Sequence, residues 1–242
     1  MTSKKRTERK RANEMKNRKT AKSRTPLIMI VILIGIIAVA AGIIFMLSQS
    51  SDDGTGNQDT GEITENPIAV LDTSMGTIKI ELYMDKAPIT VGNFLNHAKS
   101  GYYNGTIFHR VMSNFMIQGG DPLGTGFGGH AAEYHEGYGD SDNPDSWVIP
   151  DEFRADLSNI RGTISMANKG DNTGGSQFFI NVVDNTHLDY NKEPTTSKHA
   201  VFGVVVEGMT VVDAISNVDT NPSTNKPINN ITINSITIEE KK

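Results

Sequence analysis

Residues 106–121, TIFHRVMSNFMIQGGD, set one arginine among large apolar side chains, and this combination could do chemistry. Alternation predicts a short strand in which Phe108, Arg110 and Met112 share one face, opposite the face that carries Val111. Burying an unpaired cation beside apolar surface is costly. Arg110 is therefore explained by a structural ion pair, by a stem that lies along apolar surface with its head in water, or by a functional site.

A second short strand is expected after the Ser113-Asn114 turn, before two glycines end it. Alternation there predicts that Phe115 and Ile117 face one way and that Met116 and Gln118 face the other. Together the two strands would carry the arginine, a glutamine, two phenylalanines and two methionines within a few residues.

Two later stretches have a similar mixture of apolar, amide and small residues. Residues 161–181 read RGTISMANKGDNTGGSQFFIN, and residues 198–203 read KHAVFG. Taken with residues 106–121, they resemble the cyclophilin family of peptidyl-prolyl isomerases, and the matches extend over about residues 69–239. FHRV, FMIQGGD, SMAN, GSQFF and the histidine before VFG occur in the family's order and approximate spacing. The chain is identified as a membrane-anchored bacterial form of that family.

The resemblance assigns roles to residues of this chain. It implies that Arg110 is the catalytic residue, that Gln118 binds the substrate and holds the arginine, and that no metal or other cofactor takes part. The remaining residues implied to bind substrate form the apolar slot and its edge or line the adjoining strand and groove: Phe115, Met116, Phe179, Leu188, His187, His199, Ala167, Asn168 and Gln177.

The implied reaction needs no bond to be made or broken. Rotation about an X-Pro bond crosses a barrier of about 20 kcal/mol and takes tens to hundreds of seconds. Enzyme-like turnover requires lowering that barrier by on the order of 8 kcal/mol. The twisted amide loses resonance and gains a lone pair on the proline nitrogen. A guanidinium aimed at that nitrogen would bind the twisted amide better than the planar one.

One residue and two loops depart from the family pattern. His187 stands where many relatives have tryptophan, which predicts weak binding of cyclosporin without loss of isomerase chemistry. Residues 190–197 lengthen the loop before His199, so its pose is less well defined than that of Arg110. The loop 130–147 is also longer than its family counterpart and is a candidate determinant of partner choice.

The elements that must position these residues are mostly short strands. The pattern predicts strands at 68–72, 77–82, 162–167, 177–182, 200–206 and 230–239, besides the two in the first stretch. It predicts helices that begin near Pro88 and at Met209, with Gly101 ending the first. Many strands with only two helices favour a mainly β fold, a closed antiparallel eight-stranded β-barrel capped by two α-helices. A single transmembrane helix would precede it.

Other candidate sites are weaker. Gly124–Gly129 formally matches a dinucleotide fingerprint, but no helical pattern follows it. His130, Glu133, His135 and Glu136 could offer ligands to a metal, although their spacing fits no helical zinc motif. The acidic residues that follow at 140–145 lack a complete calcium-loop pattern. The chain has no cysteine and no nucleophile elbow, so disulfides, a thiol nucleophile and a serine triad are not expected.

The 242-residue chain has a strongly uneven charge. Residues 1–26 hold eleven basic and two acidic residues, about +9, so the rest carries about −14 against a total of −5. Residues 27–47 are 21 uncharged, nearly all apolar residues, long enough to span about 30 Å of hydrocarbon. Residues 48–66 read as a flexible linker, and the isomerase domain is predicted at 67–242.

The basic residues precede the span, so the positive-inside rule places the N-terminus in the cytoplasm and the isomerase domain outside the cell membrane. A cleaved signal peptide is the alternative, but its apolar core is normally about 7 to 15 residues. Charges beside a span fit anchoring at the inner leaflet, and no nucleic-acid partner is expected.

Two functions are weighed on this basis. The leading hypothesis is a monomeric, membrane-anchored prolyl isomerase that assists the folding of exported, proline-containing polypeptides. The alternative is a proline-peptide-binding chaperone or scaffold domain in which turnover is incidental, motivated by the lengthened loops.

Overall fold

The computed structural model describes residues 66–193 and 197–239. These residues form eight strands and two α-helices, in an order close to that predicted. The strands are β1 (Ile68–Thr73), β2 (Gly76–Leu82), β3 (Arg110–Met112), β4 (Met116–Gly119), β5 (Thr163–Met166), β6 (Phe178–Asn181), β7 (Val201–Glu207) and β8 (Ile233–Glu239); the helices are α1 (Pro88–Lys99) and α2 (Met209–Ser216). Short 3-10 helices occupy Pro144–Ser146 and Thr186–Leu188.

All the strands belong to one antiparallel sheet, in the order β3-β4-β6-β5-β7-β2-β1-β8. The mainly β fold with eight antiparallel strands and two helices is thus confirmed. Backbone hydrogen bonds also link the segment before β3 to residues at the start of β8, from the N–H of Gly105 to the carbonyl of Ile233 at 2.8 Å and from the N–H of Phe108 to the carbonyl of Ile231 at 3.0 Å. These bonds show that the sheet is curled, and the closed barrel stays a prediction.

The helix α1 forms where the sequence predicts it because its apolar residues recur on one face. Pro88 occupies the first turn, where its missing N–H costs nothing. Val91, Phe94 and Ala98 are buried in the core on the inner side of the sheet. Gly101, with a φ of +74°, follows the helix in the left-handed conformation that glycine adopts most easily.

The predicted alternation around Arg110 is wrong in two places. Regular strand pairing begins only at Arg110, so Phe108 lies before the strand and need not follow its alternation. Phe108 is buried in the core with Val111. Phe115 lies in the turn before β4 and packs beside Met116 instead of opposite it. In both cases the ends of the strands fall inside the stretch that alternation treated as continuous.

Much of the N-terminal prediction falls on residues that the structure does not describe. The basic tail (1–26), the membrane span (27–47) and all of the linker except Asn66 lie outside the described residues. Within residues 66–193 and 197–239, no helix combines the length and the apolar character needed to cross a membrane.

Candidate active site

Arg110 is the first residue of β3 and lies directly opposite Gln118 on β4. Gln118 in turn lies opposite Phe179 on β6. Because residues paired across antiparallel strands project from the same face, the three side chains form a row across the sheet. The register of three short strands therefore brings the arginine beside an aromatic ring that lies 69 positions later in the chain.

A chain of hydrogen bonds orients the guanidinium. Nη1 of Arg110 donates to Oε1 of Gln118 at 3.3 Å, and Nε2 of Gln118 donates to Oε1 of Gln177 at 2.9 Å. Nε2 of Gln177 then donates to the carbonyl of Gly128 at 2.7 Å. Each amide uses its oxygen toward the arginine and its nitrogen away from it, so the acceptor that faces Arg110 is fixed by the whole chain.

Among the described residues, Arg110 has no neutralising partner of opposite charge. None of the ion pairs formed by residues 66–193 and 197–239 includes it. Burial lowers the pKa of Arg110 from its ordinary value, yet an arginine remains charged in proteins. Its guanidinium carbon lies 5.8 Å from the centre of the Phe115 ring, a cation–π distance. The ion-pair explanation of this cation is not supported.

A cavity of about 230 Å³ opens beside the guanidinium. It brings together nine of the eleven residues assigned to the site from the sequence, and adds Ser197. Its lining consists of Arg110, Phe115, Met116, Gln118, Ala167, Asn168, Phe179, Leu188, Ser197 and His199. We call this cavity the slot.

The buried wall of the slot is apolar. Met116, Phe179 and Leu188 form a small cluster that is separate from the main core, with Phe115 and Ala167 packed against it. The 3-10 helix 186–188 places Leu188 against β4 and β6. The result is an apolar recess with a cation at its edge, which suits a small apolar ring attached to a polar backbone.

His199 lies at the edge of the slot with its ring fixed on two sides. Nδ1 is 2.9 Å from the carbonyl of Met166, and the ring packs edge-on against Phe179 at 5.1 Å. Burial lowers the pKa of His199; the bond to Met166 opposes that effect, and nearby Arg110 reinforces it. The imidazole is therefore held in its neutral form near neutral pH.

Ala167 and Asn168 continue the chain beyond the end of β5 and form another side of the slot. The backbone N–H of Ala167 donates to the carbonyl of Gln177 at 3.0 Å. Nδ2 of Asn168 donates to the carbonyl of Lys198 at 2.7 Å. These bonds tie the segment after β5 to both neighbouring segments, so that this side of the slot is held in place.

Two assigned residues lie outside the slot. Gln177 lines a neighbouring cavity of about 260 Å³ and contacts the slot through Gln118. His187 is exposed and stacks on Phe115, with 6.0 Å between ring centres and 22° between ring planes. It therefore contacts the slot wall and does not line the cavity.

The neighbouring cavity is walled by a glycine-rich loop that sequence reasoning left without a role. Buried Asp121 organises this loop, since its carboxylate accepts backbone N–H bonds from Leu123, Thr125 and Gly126 at 2.6 to 2.8 Å. Burial raises the pKa of Asp121, but these bonds outweigh burial, and the net shift is downward. The signal available in the sequence was the run of glycines after an aspartate.

The weaker alternatives gain no support. Residues 122–127 form turns and bends and residues 128–130 have no regular structure, so the glycine fingerprint lacks the helix N-terminus that would hold a pyrophosphate. Among the described residues, no group of three or more histidine, aspartate or glutamate side chains could hold a metal ion. Ser197 is the slot residue that sequence reasoning missed, because it belongs to a loop whose length departs from the family pattern.

Comparison with known proteins agrees with this geometry. The family model described as cyclophilin type peptidyl-prolyl cis-trans isomerase/CLD matches residues 68–238. A peptidyl-prolyl cis-trans isomerase of Cryptosporidium parvum, of cyclophilin type, has a similar structure, with a TM-score of 0.62 and 33% identity over 73% of this chain and 99% of that one. It has also been solved in the presence of the dipeptide Ala-Pro.

Two relatives show how widely the domain occurs. The peptidylprolyl isomerase domain and WD repeat-containing protein 1 of Mus musculus is 46% identical over 172 residues, which are 71% of this chain and 24% of that protein. A protein of Staphylococcus haemolyticus named as a peptidyl-prolyl cis-trans isomerase is 39% identical and is covered over 96% of its length. The chain therefore spans about a quarter of the mouse relative. By its family match and its fold, the chain belongs to the cyclophilin-type peptidyl-prolyl cis-trans isomerases.

Proposed function

We propose that this protein accelerates rotation about X-Pro bonds in polypeptides, with Arg110 as the catalytic residue and the slot as the proline-binding site. One observation carries the proposal: the Arg110 guanidinium lies at the edge of an apolar recess and is oriented by Gln118 at 3.3 Å. The presence of Ala-Pro with the C. parvum relative supports a proline-containing ligand.

The slot would bind the proline ring through apolar contact. A proline side chain is small and carries no donor, and Met116, Phe179 and Leu188 offer it a buried apolar wall. Removing this ring from water favours binding of both the planar and the twisted bond to a similar extent. The slot therefore supplies affinity and placement, and the acceleration must come from another group.

Arg110 would supply that acceleration by stabilising the twisted bond. As the amide rotates out of plane, its nitrogen gains a lone pair that the planar amide lacks. A guanidinium N–H donated to that lone pair stabilises the transition state more than the ground state, which is the condition for catalysis. The Gln118–Gln177–Gly128 chain holds the donor in place beforehand, so that little reorganisation is needed during rotation.

The test is an isomerisation assay on a proline-containing peptide with the full-length protein and its Arg110→Ala variant. Loss of one preorganised donor is expected to lower kcat/KM by about 100- to 1000-fold. Arg154→Ala is the matched control, because Arg154 is an exposed arginine that does not line the slot. Its Nε lies 3.1 Å from a carboxylate oxygen of Asp156. An Arg110→Ala variant as active as the control would refute the mechanism.

The same variants separate the isomerase from a proline-peptide-binding chaperone or scaffold domain. A scaffold requires the slot but not the hydrogen-bond donor, so the Arg110→Ala variant would still support a client protein that needs the wild type. An isomerase whose turnover is needed would fail to support that client once Arg110 is removed, even though peptide binding in the slot persists. Wild-type protein without measurable isomerisation would favour the scaffold.

We further propose that the protein is anchored in a bacterial cell membrane through residues 27–47, with the isomerase domain outside. The relative from S. haemolyticus supports a bacterial setting, and the charge of residues 1–26 supports the orientation. Protease added to intact cells should then degrade the isomerase domain. Survival of that domain until the cells are lysed would contradict the outward orientation.

Two smaller expectations complete the proposal. We expect a monomer that acts on proline-containing polypeptides, which can be checked by the mass of the detergent-solubilised protein. Cyclosporin should bind weakly because His187 offers a smaller ring than tryptophan beside Phe115. His187→Trp should then bind cyclosporin more tightly than the wild type, and unchanged binding would remove His187 from the explanation.

A further inference from the structure

Ser197 is the slot residue that the family resemblance does not account for. It belongs to the loop 190–197, which is longer than the family pattern, and it is half-buried in the lining of the slot. Its Oγ lies 2.6 Å from Nε2 of His199, a short hydrogen bond. Ser197 and His199 therefore line the slot together.

The surroundings of His199 decide which atom of this bond carries the hydrogen. A carbonyl oxygen can only accept, so the contact of Nδ1 with the Met166 carbonyl requires the Nδ1–H tautomer. In the neutral ring Nε2 is then an acceptor, and the Ser197 hydroxyl must donate to it. The serine oxygen keeps its lone pairs, so it offers the slot an acceptor.

The rest of His199 is held independently of Ser197. Its backbone N–H donates to the carbonyl of Leu188 at 3.0 Å, and its carbonyl accepts from Nδ2 of Asn159 at 3.2 Å. Loss of the serine hydroxyl would leave these bonds and the Met166 contact in place. The ring would keep its location, and Nε2 would be exposed to the slot.

One charged group faces the ring from the elements described around it. Arg110 on β3 acts on His199 across the slot, whereas β6 presents the uncharged Phe179 ring. Lys198 pairs with Asp171 at 3.4 Å. Asp189, which follows the 3-10 helix, is bound by Ser158 and Asn159; exposed His187 on that helix stacks on Phe115. A protonated His199 would therefore place a second cation near Arg110 without a carboxylate to offset it.

We propose that Ser197 is a positioning residue of the isomerase site, which donates to Nε2 of His199 and so keeps that ring neutral and Arg110 the single cation of the slot. The inference rests on the proposed function, since it concerns the same reaction. It assigns a role to the residue at the end of the lengthened loop: the Ser197 hydroxyl favours the neutral state of the neighbouring His199 ring.

The first test is the pH profile of kcat/KM for the full-length wild type, Ser197→Ala and Ser197→Thr. Without the hydroxyl, Nε2 is free to take up a proton and to donate the resulting N–H to water, so the acid limb of the alanine profile should move to higher pH. At pH 8, loss of one hydrogen bond should lower kcat/KM by about two- to tenfold. The threonine variant retains a hydroxyl and should restore both the limb and the rate. Ser223→Ala, at an exposed position, is the control.

A Ser197→Ala profile that superimposes on those of the wild type and Ser223→Ala would overturn the proposal. A Ser197→Thr variant would also overturn it if its pH profile, and the nitrogen NMR spectrum of its His199 ring, both matched those of Ser197→Ala. A purely structural role for Ser197 would lower the amount of folded enzyme without moving the acid limb.

The second measurement does not depend on turnover. The chain has six histidines, so nitrogen NMR of ¹⁵N-histidine-labelled protein can resolve their rings, with His199→Asn for assignment. The wild type should show His199 protonated at Nδ1 and unprotonated at Nε2. In the alanine variant, Nε2 should take up a proton at a higher pH than in the wild type. An Nε2–H tautomer in the wild type would refute donation from Ser197 to His199, because the serine oxygen would then be the acceptor. Inactive wild-type protein with the expected tautomer would refute the isomerase function and leave the bond established.

Discussion

Phe178 and Phe179 are adjacent on β6 and have the same side chain, yet they belong to different regions of the molecule. Phe178 is fully buried in the main core, where it packs against the rings of Phe94 and Tyr103 at 5.5 Å. Phe179 belongs to the small cluster that lines the slot, and its nearest ring is that of His199. The pleat of one strand separates them, since successive side chains point to opposite faces.

The difference shows how one sheet can carry a core and a site at once. The core face is covered by α1, and its side chains pack in one large apolar cluster. The slot face has few apolar residues, a cation at its edge and an opening to solvent. Apolar burial on the first face stabilises the fold, and on the second it provides a surface that a ligand can complete.

The largest expected effect comes from Phe178→Ala. Removing a fully buried ring from a packed core costs about 3 to 5 kcal/mol of unfolding free energy, because a cavity remains. Denaturant unfolding of the full-length protein should show this loss, while the kcat/KM of the fraction that stays folded changes little. A comparable loss in Phe179→Ala would break the distinction between the two faces.

Phe179→Ala should show the opposite pattern. Its ring lines an open cavity that water can enter, so the loss of stability should be smaller than that of Phe178→Ala. The slot would lose an apolar wall worth about 1.5 to 3 kcal/mol of burial, so kcat/KM should fall about 10- to 100-fold. Phe179→Leu keeps an apolar wall and should retain most of the activity. A Phe179→Ala variant with wild-type kcat/KM would exclude this ring from the site.

The sequence predicted these faces unevenly, for physical reasons. The period of two identified β2, and the period of 3.6 identified α1, because burial on one face imposes both patterns. The same rule misplaced Phe108, which precedes the first regular residue of β3. Alternation holds only while a strand is paired, and the ends of a strand of three residues are not visible in its sequence.

The family motifs predicted most residues of the slot, but they did not predict Ser197. Arg110 and Phe179 lie in matched motifs, so the resemblance carried them to positions that the sheet register then brought together. Ser197 lies in a loop with no motif to match. Its contact with His199 depends on the path of the chain around Leu188, and nothing in residue type or spacing encodes that path.

The smallest expected effect is the pH dependence of the free energy of unfolding, which protonation of a core histidine should change without changing the slot. Buried His97 on α1 packs against Tyr102 and Tyr103, and its Nε2 lies 2.9 Å from the carbonyl of His130. Burial lowers the pKa of His97 to about 4, although the bond to His130 opposes it. The unfolded chain, with an ordinary pKa near 6.5, therefore binds a proton that the folded chain excludes between about pH 6.5 and 4.

This titration should lower stability on acidification while leaving the slot unchanged. The stability that neutral His97 contributes is fully present above pH 6.5 and is lost as the pH falls toward 4, by less than about 1 kcal/mol at pH 6. Buried His109 and half-buried His199 also have lowered pKa values, so the wild-type slope alone is not diagnostic. His97→Gln should flatten the slope of unfolding free energy against pH relative to wild type and to a His135→Gln control. If the slope is unchanged while the acid limb of kcat/KM moves, His97 acts on the slot and the two faces are coupled.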